Sequence, residues 1–269
     1  MRGHVLVVGG TEFFGKRAVE RFLEEGWRLT VLSRGQRRPA WWDRVEHILC
    51  ARTDRAAFAQ VLAGRTFDVV VDNIAYDAED VASALQTLRG VTGHYVLTST
   101  GAVYDPPPED RLFSPVREED ATLGVRPDDA PYGAGKKRAE RTLLDGARDL
   151  PFTVVRPTVV PGTGGDTTTL VDYLRTAARV LRRDLEIVRV PQTVLRTALS
   201  SYRPPYSRRF VLDITRAVAE LGYAPTAAVR WIRWTVEDFA GAVGLPPSAG
   251  YADRAAELDF ARAQLGVGP

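Results

Sequence analysis

Cysteine is nearly absent from this chain of 269 residues. Cys50 stands alone, which excludes an intrachain disulfide and a cysteine-built metal site. Histidine is almost as scarce: His4, His47 and His94 are scattered and form no ligand-like spacing, so no metal is expected. No apolar run approaches the length of a membrane span, and no secretory leader precedes the first strand-like run. A soluble, cytoplasmic protein that does not enter a membrane is the expectation. An excess of one charge is missing as well. The 36 Lys and Arg face 34 Asp and Glu, and the arginines are interleaved with acids. That leaves no basic stripe and argues against a nucleic-acid partner. What is present suits a soluble globular protein, with 45% apolar residues available for a sizeable core.

The first half alternates short β-branched runs with helical patterns. Strands are expected at His4 to Val8, Arg28 to Ser33, Val45 to Cys50, Phe67 to Asp72, His94 to Thr98 and Phe152 to Arg156. Helices are expected at Phe14 to Gly26, Asp54 to Ala63, Asp77 to Arg89 and Tyr132 to about Arg148. Such alternation predicts an α/β fold with a doubly wound, parallel Rossmann-type sheet and helices on both faces. From Asp105 to Pro131 periodicity stops, which predicts a long lid or binding loop. Beyond it, helices are expected at Thr167 to Leu181, Asp213 to Leu221, through Val229, Ile232, Val236, Phe239 and Val243, and over Asp253 to Leu265. Leu185 to Val190 reads as a strand. The expected division is a dinucleotide-binding domain over residues 1–162 and a small, shortened C-terminal substrate lobe over 163–269.

The first strand runs into Gly9-Gly10-Thr11-Glu12-Phe13-Phe14-Gly15. A glycine-rich turn there lets backbone amides and a helix N-terminus meet a pyrophosphate. Gly9 permits the turn, Gly15 lets the helix pack closely, and Thr11, Glu12, Phe13 and Phe14 complete the candidate cofactor segment. Glu12 stands where a glycine is usual, and its carboxylate would repel phosphates unless it faces solvent or meets an arginine. An acid at the end of the second strand normally binds the ribose of NAD, whereas an arginine suits NADP. Here Ser33 and Arg34 stand there, with Arg37-Arg38 close behind, which favours NADP over NAD. Asp54 is either an adenine-pocket residue or a helix N-cap.

Tyr132 and Lys136 are four residues apart, on one helix face. A lysine there can tune a phenol by charge, and the phenol can act as acid or base on a carbinol oxygen. Thr98-Ser99-Thr100-Gly101-Ala102-Val103-Tyr104 follows the fifth strand, at the sheet edge where open α/β folds bind ligands. A hydroxyl there, from Thr100 or alternatively Ser99, can hydrogen-bond the same substrate oxygen.

Taken with Glu140 and Arg156-Pro157, these segments resemble the extended short-chain dehydrogenase/reductase family, the group of NAD-dependent epimerases and dehydratases. The resemblance covers residues 4–162 and returns between Arg209 and Pro225. It implies that Thr100 takes the family's catalytic Ser/Thr position, Tyr132 its tyrosine and Lys136 its lysine, which also holds the cofactor ribose. It implies that Asn73 and Ala75, in Asp72-Asn73-Ile74-Ala75, border the cofactor. Members usually act on nucleotide-activated sugars by transient hydride transfer, others reduce, dehydrate or decarboxylate, and many form homodimers. This chain departs from the pattern at Glu12, at Ala51, where an acid commonly contacts adenine, and in its short run from Arg156 to Leu170.

The expected function is an NAD(P)-dependent oxidoreductase or epimerase acting on a hydroxyl or keto group of a small molecule or activated sugar. Two alternatives stay open. One is a cofactor-independent elimination, isomerisation or cyclisation, in which Glu12 itself could serve as acid or base. The other is a non-enzymatic regulator built on the same fold.

Overall fold

The computed structural model describes residues 2–105, 116–157, 170–185, 187, 215–224, 226–243 and 254–265. These group into two compact units, one drawn from residues up to Thr163 and one from residues after it.

In the first unit every strand is short, and every connection between consecutive strands carries a helix or a long loop. The strands are β1 (His4–Val8), β2 (Arg28–Ser33), β3 (Glu46–Leu49), β4 (Phe67–Asp72), β5 (Thr92–Thr98) and β6 (Phe152–Val155). All pairings are parallel, in the order β3-β2-β1-β4-β5-β6. The expected doubly wound sheet is therefore present. Its strand order reverses between β1 and β4, the switch point at which such sheets bind ligands.

Side-chain alternation explains the layering. Leu6 and Val8 of β1 join Leu32, Val70 and Leu97 in a core on one face, where α2 (Arg55–Leu62), α3 (Ala78–Leu88) and α4 (Pro131–Gly146) contribute Phe58, Val81, Leu85 and Leu143. Val5 and Val7 point the other way, against Val19 of α1 (Phe13–Glu24), Leu29, Val31 and Trp41. A strand buried on both faces has to be apolar throughout, as β1 is after its first residue. Trp41 packs in that second core, and Cys50 is a buried member of the first.

Register then sets the site. Val8 is level with Leu32 on one side and Asp72 on the other, and Asp72 is level with Leu97. The residues that follow, Gly9, Ser33, Asn73 and Thr98, therefore form a row at the C-terminal edge of the sheet.

The long segment after β5 contains two 3-10 turns, Gly101–Val103 and Glu118–Asp120. It is held by Lys137 of α4, which is fully buried and donates to Asp105, Asp129 and the Gly124 carbonyl at 2.9–3.4 Å.

In the second unit the described residues form α5 (Leu170–Leu181), α6 (Thr215–Leu221), α7 (Ala228–Val243) and α8 (Arg254–Leu265). α5 packs on α7, burying Thr176 and Ile232. Trp234 of α7 is exposed, with the Arg230 guanidinium 5.9 Å from its ring centre. The strand expected at Leu185 to Val190 falls largely outside the described residues. No helix among the described residues is long and apolar enough to cross a membrane.

Candidate functional site

The glycine turn closes on itself. A side chain at Gly15 would overlap the Gly9 carbonyl, so α1 can lie this close to the sheet only with glycine there. Gly9 has φ +82° and donates its amide to the Leu32 carbonyl at 2.9 Å. The first helical bond of α1 runs from the Lys16 amide to the Glu12 carbonyl at 3.1 Å. The amides of Phe13, Phe14 and Gly15 thus lie in the first turn, where helix geometry leaves them to an outside acceptor such as a phosphate. This cradle fits a pyrophosphate.

Glu12 adopts ordinary extended backbone, φ −135° and ψ 158°, so no glycine is needed there for conformation. The strain sits one residue later. Phe13 has φ +43° and is exposed, an unusual state for a bulky side chain. The Glu12 carboxylate does both things open to it: it is exposed, and its Oε1 lies 2.6 Å from Arg37 Nε. At the end of β2, Ser33 accepts the Gly35 amide at 3.2 Å, and Arg34 is exposed. Asp54 caps the N-terminus of α2, accepting the Ala57 amide at 3.0 Å.

Beyond the switch point, one line of hydrogen bonds joins the cradle to α4. Asn73 Nδ2 donates to the Gly9 carbonyl at 3.1 Å, and Asn73 Oδ1 accepts the Thr98 hydroxyl at 2.8 Å. The Thr98 carbonyl accepts Lys136 Nζ at 2.7 Å, and the Ala75 carbonyl accepts the same ammonium at 2.8 Å. Lys136 is 1% exposed, and burial lowers its pKa to about 8 against the opposing pull of Asp72, Glu140 and Asp80. Two of its three protons are committed to carbonyls, and one is left for a third acceptor.

α4 reaches this position because Pro131 starts it and its first turns are nearly bare. A side chain at Gly135 would come within 2.5 Å of the Tyr76 carbonyl. Tyr132, at the start of the helix, is half-exposed, with its ring 6.3 Å from that of Tyr76. Lys136 Nζ lies 4.8 Å from the Tyr76 ring centre, so Tyr76 stands with both candidate catalytic residues. Burial, followed by the neighbouring Tyr132 and Asp72, raises the Tyr76 pKa. Thr100 is half-buried and accepts the Ala102 amide at 3.2 Å, leaving its hydroxyl proton to donate.

Ser99 is committed elsewhere. It is 2% exposed and donates to Glu140, which is itself fully buried. Arg156 grips the same carboxylate through both oxygens, at 2.6–3.1 Å, and also reaches the Glu118 carbonyl and the Tyr104 hydroxyl. Burial alone would lower the Arg156 pKa, but the bonds to Glu140 and Tyr104 outweigh it and raise it. Ser99 therefore belongs to a structural network beneath the site, not to the face that Thr100 presents.

Sequence reasoning missed a second buried network. Arg52 donates to Asp72 at 3.3 Å and to Ser83 at 2.9 Å, with its guanidinium 4.1 Å from the Phe58 ring centre. Tyr95 donates to the same Asp72 oxygen at 3.0 Å. The partners lie 20 to 31 positions from Arg52 or Asp72, so no local pattern announces them. Among the described residues no group of three His, Cys, Asp or Glu side chains could hold a metal ion.

Comparisons with known proteins agree with this arrangement. The UDP-arabinose 4-epimerase 1 of Arabidopsis thaliana is 27% identical over 56% of this chain and 41% of its own length. The chain thus spans less than half the length of the curated relatives it matches. Two solved structures share the fold. The UDP-glucose 4-epimerase of Thermus thermophilus, solved with NAD, has a TM-score of 0.66 at 19% identity, covering 89% of this chain and 100% of that one. The UDP-glucose 4-epimerase of Thermotoga maritima, solved with UDP-glucose, has a TM-score of 0.62 at 17% identity, covering 88% and 99%. The profile described as the NAD dependent epimerase/dehydratase family matches residues 5–197. That span holds the glycine turn, the Asn73–Thr98–Lys136 line and Tyr132, and the chain belongs to this family.

Proposed function

We propose that this protein is an NAD-dependent epimerase or dehydratase acting on a hydroxyl group of a nucleotide-activated sugar. The observation that carries the reading is the line from Gly9 through Asn73 and Thr98 to Lys136. It ties a pyrophosphate cradle to the helix that presents Tyr132.

In this reading the amides of Phe13, Phe14 and Gly15 hold the pyrophosphate, and Asn73 and Ala75 border the cofactor. When bound, the nicotinamide supplies a hydride acceptor and donor. Tyr132 moves the proton at its phenolic oxygen, taking it from a substrate hydroxyl as the carbonyl forms and returning it afterwards. Thr100 donates its hydroxyl hydrogen to the same substrate oxygen and fixes its position. Lys136 uses its remaining proton to hold a ribose hydroxyl and keeps positive charge near the phenol.

NAD is preferred to NADP here. The basic run Arg34, Arg37 and Arg38 motivates NADP, yet Arg37 is already paired with Glu12. A reduced substrate lobe over residues 163–269 and association into a homodimer belong to the same proposal.

The test is to denature the purified protein, identify any released nucleotide, and titrate the protein with NADH and NADPH by fluorescence. Interconversion of UDP-hexoses and UDP-pentoses is then followed by chromatography. Binding of neither cofactor at sub-millimolar concentration overturns the proposal.

A further inference from the structure

We infer that Glu12 selects the cofactor at its adenosine ribose, accepting the ribose hydroxyls of NAD and repelling the 2′-phosphate of NADP, with Arg37 as its clamp. This rests on the cofactor reading above and deepens it.

The adenosine ribose of a dinucleotide lies over the end of the second strand, where an acid normally accepts its hydroxyls. In this chain β2 ends without one. Ser33 is buried and turned to the Gly35 amide, and Arg34 follows. Glu12 lies on the neighbouring turn, and the two turns are held together. Val8 is level with Leu32, and the Gly9 amide donates to the Leu32 carbonyl at 2.9 Å. From there the Glu12 side chain crosses the seam to Arg37, four residues beyond Ser33, at 2.6 Å. A carboxylate that is absent from the end of β2 is thus supplied from the adjacent turn.

The chemistry of the pair favours a diol over a phosphate. An ionised carboxylate accepts about four hydrogen bonds, and the Arg37 contact uses one oxygen. Ribose hydroxyls can donate to the rest. A 2′-phosphate has no such proton to offer at neutral pH, and it would have to take Arg37 from Glu12 and leave two anions side by side. Arg37 thus serves as the clamp for an acid, and a phosphate that engaged it would lie beside the Glu12 carboxylate. The pair is exposed on both sides and contributes little to folding, so Glu12 can be changed without loss of the fold.

The experiment compares dissociation constants for NADH and NADPH in the wild-type protein, in Glu12→Gln and in Glu20→Gln. Glu20 is an α1 acid paired with Arg17 at 2.9 Å, and its replacement makes the same change in net charge. The wild type is expected to prefer NADH. Glu12→Gln should reduce that preference about tenfold, the equivalent of one lost charge-assisted hydrogen bond, while Glu20→Gln leaves it unchanged. An unchanged preference in Glu12→Gln with NADH binding intact overturns the inference alone. So does a wild-type preference for NADPH, or an equal effect of Glu20→Gln. A wild-type protein that binds neither nucleotide overturns the cofactor reading and this inference with it.

Discussion

The side-chain amide of Asn73 donates to the Gly9 carbonyl at 3.1 Å, and this contact joins the first strand's turn to the fourth strand's end across 64 positions of sequence. Its other side accepts the Thr98 hydroxyl. One buried side chain thus aligns three strand ends, and its two bonds point in opposite senses. An aspartate would lose the donor and an alanine both bonds.

Asn73→Ala is expected to destabilise the protein by about 1–3 kcal/mol, because it leaves a partly buried carbonyl and a buried hydroxyl without this partner. It should also weaken cofactor binding, since the cradle is no longer held against β4. Urea denaturation and NADH titration check both. Wild-type stability in this variant would show that Asn73 is incidental.

Tyr132→Phe removes the phenolic proton and keeps the ring that faces Tyr76. Turnover of a UDP-sugar substrate should fall about 10²–10⁴-fold. Cofactor affinity should stay within about twofold, because the general acid/base contributes to the chemical step. Stopped assays on the variant decide this. Retained turnover removes Tyr132 from the mechanism.

Lys136 supplies a pH signature that needs no substrate. Burial lowers its pKa from 10.5 to about 8 in the fold. Between those values the unfolded chain binds more protons at this site than the native one, so its contribution to stability rises with pH. The difference in unfolding free energy between wild type and Lys136→Met should therefore grow in favour of wild type from about pH 8 to about pH 10.5. Denaturant titrations at half-unit pH steps measure it. A flat difference would mean that the ammonium is not buried as described.

Gly135 tests the approach of α4 to the loop after β4. Alanine there would place a methyl group within 2.5 Å of the Tyr76 carbonyl. Such overpacking should cost about 1–3 kcal/mol and displace Lys136 and Tyr132 together. Gly124→Ala is the control, since nothing lies within 4 Å of the added atom. The control should change stability by less than about 0.5 kcal/mol. Equal effects at both positions would refute the close contact.

Local pattern carried much of this site. The alternation of β1, with Val5 and Val7 facing one core and Leu6 and Val8 the other, is a period-two signal readable without coordinates. The spacing of Tyr132 and Lys136 is likewise a property of one helix. Asp54 was legible only as a choice between cofactor and cap, because both uses suit an acid before a helix. The bond to Ala57 shows the cap. Ser99 and Thr100 are neighbours of similar chemistry, and without the family resemblance their spacing does not separate them. Successive residues of an extended chain point to opposite sides, so Ser99 turns to Glu140 and Thr100 to the Ala102 amide.

By itself the sequence determined the order of strands and helices, the parallel sheet, the glycine turn and the helix bearing Tyr132 and Lys136. Each of these depends on residues close together along the chain, where periodicity and glycine placement act directly. Only the tertiary structure decided the partners: Arg37 for Glu12, Glu140 for Ser99, Asn73 for Gly9 and Thr98, and Asp72 for Arg52 and Tyr95. Buried polar groups must be satisfied by whatever the fold brings beside them. Strand order and register, not sequence spacing, choose that neighbour.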